Sequence, residues 1–400
     1  MREVHRRYHL SGLVLLVATS AMIFGVPAVA AQPPALGSQD PTLDPALGLS
    51  VEWVIGDPSP FAGTRFDGHY VRSDRRVYYL GFRTLGDVTD GSVWYYDVPA
   101  GVYADTGVDM PVPVSNYGIA ALHGQNGLGL YIFGGRDAAA QIVTTVQVYY
   151  PATNTAEVLS DDPWPGMTPA GCVSLPANGV ETYGNQAYVM GGLSFAANGC
   201  VDDQSAETWV FDPLAPDGSK WSPGPDLNVA RGYITPTERG GRIYAVGGDQ
   251  NSAGSLIPMP TVEAWAPPSG GWDDAGVADL PVPCDESQAF AVRSAGLHRG
   301  IVLAGCGQWP NAVPDTYFYD VAGDTWSLVG SLNENRRNHA GALITLGRRP
   351  VMFILGGYGE ESGFIDPIFS SEEGQGTAAP ASDHTGSGSA PGPDRSPTTS

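Results

Sequence analysis

One short pattern recurs along the chain: an apolar run that ends in a glycine pair. Intact copies read LYIFGG, YVMGG, IYAVGG and MFILGG, and altered copies read VYYLGF and IVLAGC. The first glycines stand at positions 81, 134, 191, 247, 305 and 356, so the steps are 53, 57, 56, 58 and 51 residues. Self-similarity at this period indicates a repeat architecture, in which each unit buries its apolar face against its neighbours.

Each apolar run is too short for a helix, is rich in β-branched and aromatic residues and ends in glycine, so it predicts a buried strand. After each run come an aromatic segment, a turn with Asp, Pro, Gly or Asn, and usually a second aromatic residue, as in TYFYDVAGDTW at 316–326. Before the run lies another strand candidate, such as HAGALITL at 339–346. Each repeat therefore predicts four short antiparallel strands.

These repeats resemble the kelch repeat, whose units form the blades of a β-propeller. The resemblance covers roughly residues 50–370. It implies an all-β fold, a six-bladed kelch-type β-propeller over residues 47–370 with four antiparallel strands in each blade. Because one fold of this kind supports many functions, the function has to be sought in particular sites.

The two ends of the repeat region complement each other. The segment SVEWVIG at 50–56 resembles the end of a blade, since Trp53 falls where Trp326 falls in the preceding unit. The last repeat stops early, after GFIDPIF at 363–369, which is a plausible third strand. We therefore predict that residues 50–56 supply the outer strand of the last blade, and that this closure removes an exposed strand edge.

Both chain ends differ in composition from the repeats. Residues 1–30 have a basic start, an apolar stretch and the small-residue sequence Ala28-Val29-Ala30. This is typical of a cleaved secretory signal, with an uncleaved membrane anchor as the alternative. Residues 31–46 predict a linker, and residues 371–400, rich in Ser, Gly and Pro, predict a disordered tail. We expect a secreted, extracellular protein with no membrane span after signal cleavage.

Charge limits the partners. The chain has 20 basic and 42 acidic residues and a net charge of −22, which argues against nucleic-acid binding because that function needs a basic surface. No GxSxG, Walker or HExxH motif is present. We expect a monomer without a cofactor, whose partner is an extracellular protein or a glycan.

The four cysteines are Cys172, Cys200, Cys284 and Cys306. Export predicts an oxidising compartment, and four cysteines allow three pairings. Because the start of one strand of an antiparallel hairpin lies beside the end of the next, we predict the local pairs Cys172–Cys200 and Cys284–Cys306. The alternative is a metal site, but the residues after the predicted signal contain no CxxC or HxxxH spacing, so no metal ion is expected.

In kelch-like propellers the loops that lead into the inner strands surround one mouth of the central channel. The positions matched by this resemblance are Arg65, Asp67, His69, Ser115, Asn116, Tyr117, Cys172, Arg231, Tyr233, Asp285, Glu286, Gln288, Arg336, Arg337, Asn338 and His339. Arginine forks suit carboxylates, and tyrosine rings suit sugars or peptides. The predicted ligand-binding set is Arg65, His69, Tyr117, Arg231, Tyr233, Glu286, Arg336 and His339. The alternative is that these side chains satisfy loop carbonyls or pair with nearby acids.

Two functions are consistent with this mouth. The favoured one is a secreted binding module for a protein or glycan ligand. We expect the ligand to carry an anionic group, and we assign no catalytic residue. The alternative is a carbohydrate-active enzyme, either sialidase-like or similar to sugar-acid epimerases with kelch blades. In the epimerase version Glu286 or His339 acts as a general base, and Arg231 or Arg336 holds a carboxylate.

Overall fold

The computed structural model describes residues 49–359, apart from 57, 85–86, 294–298, 309–310 and 347–348, together with the backbone strand Glu373–Pro380. The predicted signal peptide and linker lie outside the described residues, as does the third-strand candidate at 363–369. The described part is built from β-strands and loops, with one short 3-10 turn at Ala196–Asn198. It has no helix whose length and hydropathy would suit a membrane span.

Strands are numbered in chain order, and β1 (Leu49–Ile55) precedes the first repeat. The first two repeats form two four-stranded antiparallel sheets from β2 (Gly68–Val71), β3 (Arg76–Arg83), β4 (Thr89–Asp97), β5 (Val102–Asp109), β6 (Ile119–Gly124), β7 (Gly127–Phe133), β8 (Val146–Tyr150) and β9 (Thr155–Val158). The third repeat contains β10 (Val180–Tyr183), β11 (Gln186–Met190), the hairpin of β12 (Leu193–Ser194) and β13 (Asp203–Gln204), β14 (Thr208–Phe211) and β15 (Trp221–Pro223).

The fourth repeat contains β16 (Thr235–Arg239), β17 (Arg242–Val246), the hairpin of β18 (Asp249–Ser252) and β19 (Ser255–Pro258), and β20 (Val262–Trp265). The last two repeats contain β21 (Gln288–Arg293), β22 (Arg299–Ala304), β23 (Val313–Asp320), β24 (Thr325–Arg336), β25 (Ala340–Leu346), β26 (Arg349–Leu355) and β27 (Glu373–Pro380). In each repeat the first strand, which is β2, β6, β10, β16, β21 or β25, contributes to the lining of the central cavity.

The predicted all-β propeller is confirmed, but the predicted number of separate blades is wrong. The described residues form five large sheets, because the fifth and sixth repeats merge into one eight-stranded sheet in the order β21-β22-β23-β24-β1-β27-β26-β25. The two halves join where β24 and β1 run parallel, with Val51 opposite Gly330 and Glu52 opposite Ser331. Gly330 permits this approach, since a Cβ there would collide with the carbonyl oxygen of Val51.

The prediction of four strands in every blade is also wrong for the fourth repeat, whose main sheet has three strands. Only a single bridge, between Ala264 and Asp273, marks the position of an outer strand. Trp272, at that position, instead donates its indole N–H towards Thr208 Oγ1 and the Pro225 carbonyl oxygen, both in the third repeat. The segment is therefore used to join two repeats.

The predicted use of the N-terminal strand in the last repeat is confirmed. Strand β1 lies antiparallel to β27, with Trp53 opposite Gly376, and β27 in turn pairs with β26. The strand between β1 and β26 is thus Glu373–Pro380, which falls in the segment predicted to be a tail. Trp53 is 5% exposed and donates its indole N–H to Thr316 Oγ1 of the fifth repeat at 3.0 Å. This strand therefore ties the start of the described chain to its last two repeats.

The apolar runs of the sequence are the second strands of the repeats, and they carry the core. Within the second and third repeats, for example, Phe133, Phe211 and Trp221 pack with ring centres 4.9–5.3 Å apart. The glycine pairs that follow these strands turn the chain with positive φ. At Gly247 a side chain would also collide with the carbonyl oxygen of Cys284, so glycine is required there on two counts.

Both predicted disulfides are present. Cys172 is bonded to Cys200 with Cα atoms 6.2 Å apart, and Cys284 to Cys306 with Cα atoms 4.9 Å apart. Each bond links the start of a repeat to a loop that follows the apolar strand of that repeat. The third and fifth repeats are therefore each fastened near the mouth end of the first strand.

Candidate binding site at the channel mouth

Each repeat brings one residue with positive φ to the loop just before its first strand. These residues have φ values between 45° and 58°, and they are Arg65, Asn116, Ala177, Tyr233, Glu286 and Asn338. Their backbones connect neighbouring repeats, since Asn116 N donates to Arg65 O, Arg65 N to Asn338 O, and Asn338 N to Glu286 O, at 2.7–2.9 Å. We call the end of the channel that these six residues surround the mouth.

A second group of residues lies at the mouth, in the segment that follows each apolar strand. They stand at equivalent positions just after the glycine pair or its altered form, and they are Arg83, Arg136, Leu193, Asp249, Gly307 and Tyr358. Each forms an isolated backbone bridge with a residue one or two positions before the positive-φ residue of its own repeat, as Arg83 does with Thr64 and Arg136 with Ser115. This pairing brings the two groups of side chains together.

Three arginines of the first two repeats cluster at the mouth. Burial and then the guanidinium of Arg65 lower the pKa of Arg83, which Asp87 partly offsets from a distance of 2.9 Å. Burial also lowers the pKa of Arg136; Tyr233 partly offsets this effect, while Arg65 adds to it. The three guanidinium groups therefore lie close enough to repel one another, with one carboxylate paired to the cluster.

Arg65 and Arg136 are held by aromatic rings. The guanidinium carbon of Arg65 lies 5.4 Å from the ring centre of Tyr358, and that of Arg136 lies 4.2 Å from the ring centre of Phe195. The Nε atoms of both are buried without a hydrogen-bond partner. Within the described ranges neither side chain forms a salt bridge or hydrogen bond, although both remain partly exposed. They are therefore available to an anion.

Tyrosine and carboxylate groups complete the middle of the mouth. Tyr233 Oη accepts a hydrogen bond from Asn116 Nδ2 at 3.2 Å, and burial raises the pKa of Tyr233, so its phenol stays protonated and can donate. Glu286 accepts from Arg337 Nη1 at 2.8 Å, and Arg337 lies 4.8 Å from the Tyr358 ring centre. The carboxylate of Glu286 is thereby neutralised by its own arginine.

The opposite side of the mouth is acidic. Asp249 and Asp285 are fully buried next to each other in the fourth and fifth repeats. Burial, and then the charge of Asp285, raise the pKa of Asp249 well above its usual value. The charged form of Asp249 is therefore disfavoured next to Asp285.

The channel below the mouth has a volume of about 290 Å³ and is lined by carboxylates among small polar groups. Burial raises the pKa of Asp67 to about 6 and lowers the pKa of His69 to about 4. Burial, with the charge of Glu238 adding to it, raises the pKa of Glu181 to about 8. The positive character of the mouth therefore does not extend into the channel.

No family model matches the sequence. Three relatives carry related sequence, namely beta-scruin of Limulus polyphemus, 24% identical over 248 residues, alpha-scruin of the same species, 25% identical over 193 residues, and the human Kelch repeat and BTB domain-containing protein 13, 33% identical over 105 residues. The matches cover 62%, 48% and 26% of this chain. These similarities support a kelch-repeat family for the chain.

The chain spans only part of these relatives, because the matched segments are 25%, 19% and 20% of their lengths. Among solved structures it is similar to that described as the structure of YjhT, with a TM-score of 0.56 and 15% identity. That likeness covers 76% of this chain and 93% of the other. It supports the propeller fold.

The structure buries four of the eight predicted ligand-binding residues in the core, away from their predicted position at the mouth. Arg231 is fully buried, forms an ion pair with Glu263 and donates to the carbonyl oxygen of Gly247 at 2.8 Å. Arg336 has the equivalent role and donates to the carbonyl oxygen of Gly356 at 2.8 Å. Both guanidinium groups satisfy backbone carbonyls beside a glycine pair.

Tyr117 and His339 are the other two. The hydroxyl of Tyr117 donates to the carbonyl oxygen of Gly81, and the ring of His339 is fully buried beside the carbonyl oxygen of Ala304 at 3.2 Å. Like the arginines, both stand at a fixed position relative to the positive-φ residue of their repeat. The side chains two positions before that residue and one position after it face inward.

The remaining candidates divide between two places. Arg65, Tyr233 and Glu286 lie at the mouth, together with Asn116, Arg337 and Asn338 from the wider set. His69 lines the channel with Asp67 and Gln288. Ser115 and Cys172 are buried, the latter in its disulfide. Their part in ligand binding stays a prediction.

Four residues at the mouth were not among those predicted from the sequence, namely Arg83, Arg136, Asp249 and Tyr358. All follow the glycine pair of a repeat, or the altered form GF, by one position. The repeat alignment itself contained this signal, because that position changes chemistry from repeat to repeat while the glycines before it are kept.

Proposed function

We propose that this kelch protein is an extracellular binding module whose mouth takes an anionic group, such as a carboxylate, of a protein or glycan partner. Its kelch-repeat relatives favour a protein-interaction module. Beyond that general role, we assign binding to the mouth, an anionic group to the ligand and an extracellular location to the protein.

The observation that carries the proposal is the crowding of Arg65, Arg83 and Arg136 in a protein of net charge −22. Bringing like charges together in a partly buried site is unfavourable unless a counter-charge is present. Of these three arginines, only Arg83 has an ion-pair partner among the described residues, namely Asp87. An anion would satisfy the unpaired guanidinium groups with charge-assisted hydrogen bonds, and the protonated phenol of Tyr233 offers a further donor.

The extracellular part of the proposal is supported by the two disulfides, since such bonds persist in oxidising compartments. The predicted signal peptide at 1–30 points in the same direction, although it lies outside the described residues.

A binding role is favoured over the enzymatic alternative by the positions of the residues that the alternative needs. Arg231, Arg336 and His339 are buried in the core with backbone carbonyls as partners. Glu286 is already paired with Arg337. Burial raises the pKa of Tyr233, so that its phenol is a poor nucleophile at neutral pH.

The test compares an Arg65→Gln/Arg136→Gln double variant with the unchanged chain. Both are screened against a panel of sialylated, uronic-acid and neutral glycans and of peptides rich in Glu or Leu, and hits are measured by calorimetry. We expect anionic probes to bind the unchanged chain and the double variant to bind them at least ~10-fold more weakly, since each hydrogen bond to a charged group contributes about 1.5–3 kcal/mol.

The matched control is Arg76→Gln. Arg76 begins β3, whereas the mouth residue Arg83 ends it. Arg76 pairs with Asp97 at 3.3 Å and stacks on Tyr95, so it has the same chemistry outside the mouth. If the control and the double variant lose the same affinity for anionic probes, the effect comes from the overall charge of the protein and not from the mouth. Anion binding that is unchanged in the double variant, or preference for neutral probes, would contradict the proposal.

A further inference from the structure

A second cavity, of about 570 Å³, lies on the sheet of the first repeat. Its floor is aromatic and includes Phe61, Phe82 and Trp94. Its edge includes the carboxylates of Asp90, Asp105 and Asp109. We call it the first-sheet cavity. None of its residues belonged to the sets predicted from the sequence, and the mouth described above does not use them.

The aromatic floor is rigid and presents ring faces. The rings of Phe61 and Phe82 are stacked with centres 4.4 Å apart, and the centre of Trp94 lies 5.2 Å from that of Phe61. Phe82 is 2% exposed and supports Phe61 from below, whereas Phe61 and Trp94 remain partly exposed. The indole N–H of Trp94 is committed to Ser92 Oγ at 3.0 Å, which fixes the ring orientation.

The carboxylates are positioned by the pairing of β4 with β5. Asp105 lies opposite Trp94, and Asp109 lies opposite Ser92, so both flank the indole from the neighbouring strand. Asp90 is fixed by a hydrogen bond from Ser92 N at 2.8 Å, and Asp105 by one from Gly107 N at 2.7 Å. These bonds keep the acids in place around the floor.

No basic partner of the three carboxylates is found within the described part of the chain. Among the described residues, no arginine, lysine or histidine forms a salt bridge with Asp90, Asp105 or Asp109. Asp105 and Asp109 are exposed. An exposed aromatic face attracts a cation through the ring quadrupole, most strongly for tryptophan, and nearby carboxylates add to this attraction.

We propose that the first-sheet cavity binds a lysine or arginine side chain displayed by a partner protein. The aliphatic stem of such a side chain would pack on Phe61, and its charged end would lie over Trp94 between the carboxylates. A divalent metal ion fits less well, because it needs several converging oxygen ligands. In the described ranges no three acidic, histidine or cysteine side chains converge in that way.

The inference does not depend on the proposed anion site, since it uses different residues and an oppositely charged ligand. The test uses the full chain with ¹⁵N-labelled tryptophan and follows the Trp94 indole signal by NMR, assigned with a Trp94→Phe variant. The probe is the blocked tripeptide acetyl-Gly-Lys-Gly-amide. The matched probe contains norleucine instead of lysine, which keeps the stem and removes the charge.

We expect the lysine probe to shift the Trp94 signal in a saturable, salt-sensitive manner and the norleucine probe to bind at least ~10-fold more weakly. An Asp105→Asn/Asp109→Asn variant should bind the lysine probe more weakly by a similar factor. The Asp274→Asn control, an exposed aspartate of the fourth repeat, should bind normally. Trp94→Phe, which keeps a ring face, should retain part of the binding when followed by calorimetry, whereas Trp94→Leu should lose it.

Three results would overturn the inference. One is equal binding of the lysine and norleucine probes, which would make the cavity a purely apolar site. Another is saturable binding of calcium ions that is unchanged in Trp94→Leu, which would make it a metal site. The third is a Trp94 signal that neither the lysine probe nor its arginine equivalent shifts, with circular dichroism showing a folded protein.

Discussion

The mouth and the first-sheet cavity meet at the end of one strand but have opposite chemistry. Arg83 contributes a guanidinium to the mouth, while its neighbour Phe82 contributes a ring to the floor of the cavity. Because successive side chains of a strand point to opposite faces, one strand end serves both surfaces. The mouth contains clustered guanidinium groups although the protein is acidic, and the cavity contains carboxylates around aromatic rings.

The two regions also differ in how they are assembled. The carboxylates of the cavity come from one hairpin, in which β4 and β5 place Trp94 opposite Asp105. The mouth depends on contacts between repeats far apart in the chain, such as Asn116 with Tyr233 and Arg65 with Tyr358. A local hairpin can therefore present a charge pattern by itself, whereas the charge of the mouth exists only when the repeats are assembled.

The largest expected effect separates the arginines of the mouth from those of the core. Arg231→Ala should lower the free energy of unfolding by about 3–5 kcal/mol, because it leaves the buried Glu263 without its partner. Arg136→Ala should change it little, since Arg136 has a ring contact and no ion pair in the described part of the chain. Guanidinium chloride unfolding measures both. Equal losses would place Arg136 among the structural arginines and weaken the account of the mouth.

A smaller loss is expected when the acidic side of the mouth loses its covalent link. Cys284→Ala/Cys306→Ala should reduce the free energy of unfolding by roughly 3 kcal/mol, because the bond closes a short loop of the fifth repeat. The first-sheet cavity contains no cysteine, so the Trp94 indole signal of the folded variant should be unchanged. A shifted signal would mean that the two regions are coupled through the ring of sheets.

A single exchange in each region tests whether the two surfaces act separately. Arg83→Gln should weaken anion binding at the mouth by about tenfold, or 1.4 kcal/mol, and leave binding of the lysine probe unchanged. Asp90→Asn, which keeps the oxygen that accepts from Ser92 N, should do the reverse. Calorimetry with both probes on both variants gives four affinities. If both affinities move together in either variant, the surfaces are not independent.

The smallest effect concerns pH and the channel beneath the mouth. The pKa of Glu181 is raised to about 8 from 4.5, so the folded state holds this proton more tightly than the unfolded state does. Stability should therefore fall as pH rises from about 4.5 to 8 and level off above it, in the same direction as for Asp67, whose pKa is raised to about 6.

Glu181→Gln should flatten this pH dependence, as followed by the midpoint of denaturant unfolding at a series of pH values. The effect is modest because the carboxyl group is partly exposed to the channel, where solvent screens it. The exposed Glu157, which accepts a hydrogen bond from Tyr150, serves as a control when changed to Gln. A slope that persists unchanged in Glu181→Gln would assign the pH dependence to other groups.

Much of the fold was determined by the sequence. The spacing of the glycine pairs predicted the repeats, the apolar runs predicted their buried strands, and the cysteine positions predicted both disulfides. The match between Trp53 and Trp326 predicted that β1 completes the last repeat. These features were readable because each depends on short-range patterns that recur in every unit.

Only the tertiary structure decided how the repeats join and which polar side chains reach the mouth. The parallel pairing of β24 with β1, which merges two repeats into one sheet, depends on the close approach of Val51 to Gly330. Arg231 and Arg65 are both arginines in equivalent loops. Arg65 is the positive-φ residue of its loop and faces the mouth, whereas Arg231 stands two residues before that position and enters the core. Arg231 is held by partners in its own repeat, whereas Arg65 contacts Tyr358 of the last repeat, and residue type alone reveals neither set of contacts.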